Sequence, residues 1–136
     1  MRAPEAMKPM TPMERLAATR ISARPSALDA ATWPAGAIVL RTAPDEVIIT
    51  AVVAPSAIDD PHAIVEPETS LCAVWMTMAA ALDYLARECG WELPAARPAF
   101  AQGAIAGLPV KLWFEHDRVL FVVPGPFAGD FAKRLR

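Results

Sequence analysis

The sequence predicts an α+β fold, a two-layer sandwich of a largely antiparallel sheet and two main helices. Three observations carry this. Runs rich in β-branched and aromatic residues come in pairs joined by short turns. One segment, 79–89, has apolar residues at helical spacing. A second, shorter apolar stripe closes the chain. Strands and helices occur in the order strands, helix, strands, helix, and short turns between neighbouring strands make the pairing antiparallel.

The first 35 residues differ from the rest. They contain Pro4, Pro9, Pro12, Pro25 and Pro34, and the basic residues Arg2, Lys8, Arg15, Arg20 and Arg24. Residues 13–21 fit a short helix bounded by Pro12 and Pro25. Two readings stay open: a flexible arm, or an arm that becomes ordered along a partner. The expected organisation is therefore an arm over 1–35 and one α+β domain over 36–136.

Ala37 to Arg41 and Glu46 to Val53 read as a hairpin, with Thr42-Ala43-Pro44-Asp45 as its turn. Ala63 to Glu66 is a short strand. Leu71 to Thr77 is a stronger one, apolar on both alternating sets and so expected to be buried on both faces. The helix over Ala79 to Cys89 carries the stripe Ala81, Leu82, Leu85, Ala86 and Cys89. Asp83 and Arg87 pair on its outer side, and Gly90 is expected to end it in a left-handed conformation. A short strand follows near Phe100 to Ile105. Val110 to Glu115 and Val119 to Val123 form a hairpin around His116-Asp117. Pro124-Gly125-Pro126 breaks the last strand and opens a final helix with the stripe Phe127, Phe131, Leu135. Lys133, Arg134 and Arg136 suit its negative end.

Composition narrows the function. The 136 residues are 54% hydrophobic and 21% charged, the balance of a chain with a core. A net charge of −2 gives no cationic face for nucleic acid and no attraction to an anionic membrane. No apolar run reaches the roughly 18–20 residues that cross a bilayer, and the polar, proline-broken start lacks the apolar core of a signal peptide. The expectation is a cytoplasmic protein with Cys72 and Cys89 reduced and buried.

No catalytic constellation stands out. The glycine clusters Gln102 to Gly107 and Pro124 to Gly129 lack the spacing and the lysine of a phosphate loop. His116-Asp117 falls at a hairpin tip, where adjacent side chains point apart. Asp59, Asp60, Glu66 and Glu68 read as solvated surface, with His62 the one histidine near them. No metal site is expected, because His62 and His116 stand alone. Among the aromatic residues, most of which fill a core, Trp113 differs. It alternates with Leu112 and Phe114, so it projects to the opposite face, as an interface residue does. Trp91, and Arg15 and Arg20 on the arm, are the other candidate interface residues.

From about Ile38 onward the chain resembles the gamma subunit of heterotetrameric sarcosine oxidase. Leu40 to Ile49 (LRTAPDEVII), Ile64 to Leu93 (IVEPETSLCAVWMTMAAALDYLARECGWEL) and Pro109 to Arg136 (PVKLWFEHDRVLFVVPGPFAGDFAKRLR) carry the resemblance. The departures mark a divergent member. Ala43 stands where the family has glycine, Glu66-Pro67-Glu68-Thr69 where aspartate–leucine–serine–histidine is usual, and Gly125-Pro126-Phe127 where arginine–serine–phenylalanine is usual. The resemblance implies a fold similar to the folate-binding domains of glycine-cleavage T-proteins. It implies partnership with larger flavin-bearing and folate-binding oxidase subunits, which would carry FAD, FMN, NAD, tetrahydrofolate and zinc. It assigns no catalytic residue and no cofactor to this chain. A stand-alone domain that binds folate or another small molecule is the alternative, and it would need a deep pocket lined by aromatic residues.

Overall fold

The computed structural model describes residues 13–135. It is α+β, with two antiparallel sheets and few helices. The chain divides into two compact units. Leu16–Thr69 forms one, and the described residues on either side of it form the other. The first unit is thus inserted between two strands of the second.

The inserted unit is a four-stranded sheet. Its strands are β2 (Ala18–Ser22), β3 (Val39–Ala43), β4 (Glu46–Ile49) and β5 (Ile64–Glu68), in the order β3-β4-β2-β5. One helix, α1 (Pro25–Ala30), packs on it. Ile21, Val47 and Ile49 point to one face and meet Ala27 and Leu28 of α1, with Val53 and Ile58 from the connecting loop. The β3–β4 hairpin turns at Pro44-Asp45, as its sequence predicts. Arg41 fixes that turn by donating to the carbonyls of Ala43 (3.1 Å) and Pro44 (2.6 Å), and its Nη1 lies 3.0 Å from Asp29 on α1. On edge strand β5, Pro67 supplies no N–H for further pairing, a device that discourages edge-to-edge association.

Residues 13–21 form no helix. Glu14–Arg15 is a two-residue strand, β1, and β2 follows at once. β2 is an interior strand, paired to β4 on one side and β5 on the other. The alternation of β-branched Thr19 and Ile21 on one face satisfies both neighbours, and that pairing outweighs local helix propensity. The folded part therefore begins well before residue 36. The portion of the expected arm before Met13 lies outside the described residues.

The second unit is a five-stranded sheet of order β1-β6-β9-β8-β7. The new strands are β6 (Leu71–Thr77), β7 (Ala99–Ile105), β8 (Leu108–Phe114) and β9 (Arg118–Pro124). Helices α2 (Met78–Glu88) and α3 (Ala128–Arg134) pack on one face. Val74, Met76, Val110, Leu112, Phe114, Val119, Phe121 and Val123 form that face, and all are buried. The Thr77 hydroxyl caps α2 by accepting from Ala80 N–H at 3.2 Å.

The buried stripe of α2 is Ala81, Tyr84 and Leu85, whereas Leu82 is 40% exposed. Tyr84 takes the inward place because its ring fits edge-on between Phe121 and Phe131, with centroids 6.0 and 6.1 Å away. In α3, Phe131 is buried as expected but Phe127 is exposed. Gly90 does not end α2 in the left-handed region. Cys89 is already extended (φ −103°, ψ 120°), its N–H closes the last turn on Leu85, and its thiol donates to the Trp91 carbonyl. Besides Gly36 (80°), positive φ occurs at Ala106 (52°) and Gly107 (79°), the two-residue turn that makes β7 and β8 a tight hairpin.

Trp91 has a structural task. Its indole N–H donates to the Ala104 carbonyl at 2.9 Å. Its ring lies on Gly103, where a Cβ would come within 2.8 Å of the indole. An aromatic ring thus covers a glycine in edge strand β7.

Gly103→Ala is expected to lower the free energy of unfolding in urea by on the order of 1–3 kcal/mol, because the indole must move. Gly129→Ala, in exposed and open space on α3, is expected to raise stability by about 0.5–1 kcal/mol. Equal effects at the two sites would refute the Trp91 contact. The buried Tyr84 hydroxyl has no hydrogen-bond partner among the described residues. Tyr84→Phe should therefore leave the melting temperature unchanged or raise it; a clear fall would mean that the hydroxyl is satisfied in solution.

Candidate functional site

On the sheet face opposite α2 and α3, four strands contribute one side chain each to a continuous row. Phe100 (β7) is paired with Trp113 (β8), Trp113 with Leu120 (β9), and Leu120 with Trp75 (β6). Directly paired residues share a face, so the four side chains lie side by side. Leu120 is buried, and the three aromatic residues are half-buried. The expected projection of Trp113 away from Leu112 and Phe114 is the arrangement found: both of those neighbours are fully buried on the helix side.

Charged side chains brace one edge of the row. The Arg118 guanidinium lies over the Trp75 ring, 3.6 Å from its centroid, a cation–π contact. Its Nε donates to Glu115 Oε1 at 2.8 Å, and the Trp113 indole donates to Glu115 Oε2 at 3.2 Å. Glu115 therefore joins the two tryptophans through one carboxylate. The hydrogen bond from Arg118 holds the Glu115 carboxyl below the usual range; partial desolvation opposes this, and the Trp113 N–H adds to the lowering. Trp and Arg, held in place before any encounter, lose little rotamer freedom when covered.

The other candidates are placed as follows. Arg20 does not extend toward solvent. Its Nη1 lies 2.7 Å from Glu46 and its Nε donates to Glu68 at 2.8 Å, with a further Nη2 contact to the same Glu68 oxygen. Burial works against the charge on Arg20, but the bonds to Glu46 and Glu68 outweigh it and raise its pKa. Glu68 is buried to 7% exposure, so the reading of this acidic stretch as solvated surface fails at that residue. It fails also at Asp60, whose carboxylate accepts from the backbone N–H of Arg24 (2.8 Å) and His62 (2.9 Å) and thereby fixes the entry to α1. These backbone bonds, led by that from Arg24, lower the Asp60 pKa. Arg15 is exposed on β1, opposite Cys72. Trp91 is spent on Gly103. His62, His116 and Asp117 are exposed, and the last two form the β8–β9 hairpin tip. Cys72 and Cys89 are free thiols, each half-buried rather than fully buried.

Sequence reasoning singled out Trp113 but missed Trp75, Phe100, Glu115 and Arg118 as its companions. The residue pattern Trp-x-Glu-x-x-Arg from Trp113 to Arg118 is the available signal, since a hairpin brings its two ends together. Among the described residues, no group of three or more His, Cys, Asp or Glu side chains could hold a metal ion. A shallow, open depression of about 480 Å³ runs along the β7–β8 hairpin, and no aromatic residue lines it. No helix among the described residues is long and apolar enough to cross a membrane.

The fold has a counterpart among solved structures. The chain is similar to one chain of the heterotetrameric sarcosine oxidase from Corynebacterium sp. U-96, solved in complex with pyrrole 2-carboxylate. The TM-score is 0.69 at 19% sequence identity, over 90% of this chain and 80% of that chain. At that identity the likeness is one of fold. No protein-family model matches the chain, and no curated protein does.

Arg20→Met leaves the buried Glu68 carboxylate without that guanidinium, and should cost on the order of 3 kcal/mol in urea unfolding. A loss below about 0.5 kcal/mol would show that the pair is solvated. The Glu115 pKa is lower in the folded than in the unfolded chain. Its stabilisation is therefore complete above the usual carboxylate range of about 4.3 and lost as pH falls through the folded value. Glu115→Gln should remove a part of the acid destabilisation amounting to less than about 1 kcal/mol. An unchanged pH profile would contradict the Glu115–Arg118 assignment.

Proposed function

We propose that this chain is the gamma-type, non-catalytic subunit of a multi-subunit flavin-dependent oxidase or dehydrogenase acting on sarcosine or a related N-methyl amino acid. The observation that carries this is the fold likeness to a chain of a heterotetrameric sarcosine oxidase, which extends over nearly the whole of this chain. The aromatic row supports the same reading. A row of large, half-buried rings braced by an arginine and a glutamate has the composition of an interface centre. In this reading larger flavin-bearing and folate-binding subunits carry the oxidative demethylation and the cofactors FAD, FMN, NAD, tetrahydrofolate and zinc. This chain contributes contacts, centred on Trp113, and works in the cytoplasm. Within the chain Arg20 acts as an internal tie rather than as a contact.

The full-length tagged chain, purified from its source cells, is expected to bring down flavin-bearing subunits that oxidise an N-methyl amino acid. Isolation of the chain alone, free of flavin absorbance, would sink the proposal. Trp113→Ala is expected to weaken the association about 10-fold or more while the isolated chain stays folded. Undiminished affinity would remove Trp113 from the interface and leave the subunit assignment to stand on the purification.

A further inference from the structure

We draw no further inference here: the strongest candidate, the Trp75–Arg118–Glu115–Trp113 cluster at the end of the β8–β9 hairpin, belongs to the site already described, and nothing in the structure shows which partner surface covers it.

Discussion

Strand β9 is apolar on both faces, while α2 and α3 pack against one of them. Val119, Phe121 and Val123 face the helices, and Leu120 and Val122 face the other way; all five are buried. β9 is paired along its length with β6 and, over Val119–Val122, with β8. The five-stranded sheet is thereby fixed in register on both sides of this strand. A one-residue slip would exchange the two faces and move Leu120 to the place of Phe121. That register puts Phe121 under Tyr84 and Phe131. The same register puts Leu120 between Trp75 and Trp113. Core and candidate interface thus depend on one alignment.

Much of this was legible in the sequence, for identifiable reasons. Leu71–Thr77 is an isolated apolar run, and Asp83 with Arg87 marks the outer side of α2. The hairpins around Pro44-Asp45 and His116-Asp117 announce themselves through turn chemistry. What escaped depends on contacts distant in sequence. The local sequence of β2 fits a helix, because its strand character comes from Val47, Ile49 and Val65, its neighbours in the sheet. The β7–β8 turn is hard to see in the sequence because Ala106-Gly107 is a weaker turn signal than Asn-Gly. Leu82 and Tyr84 exchanged roles because helical spacing alone does not tell which ring fits between Phe121 and Phe131.

The site divided along the same line. Strand alternation alone places Trp113 on the outer face. It cannot supply Trp75, because Trp75 reaches Trp113 only across β9. Arg20 and Glu68 are 48 residues apart, and only the pairing of β2 with β5 brings them together. An arginine in a proline-rich stretch looked like a contact for a partner, yet its charge is satisfied inside its own sheet. Polar residues such as Glu68 and Asp60 turned from surface to structure for the same reason: a carboxylate tolerates burial where donors meet it.

In the proposed subunit the row Phe100–Trp113–Leu120–Trp75 is the centre of the binding surface. Hydroxyl-radical footprinting of the full chain, alone and joined to flavin-bearing oxidase subunits, tests this directly. Oxidation of Trp113, Trp75 and Phe100 is expected to fall together on assembly, while the exposed Phe127 beside α3 stays as reactive as before. Loss of reactivity at Phe127 with the aromatic row unchanged would contradict it.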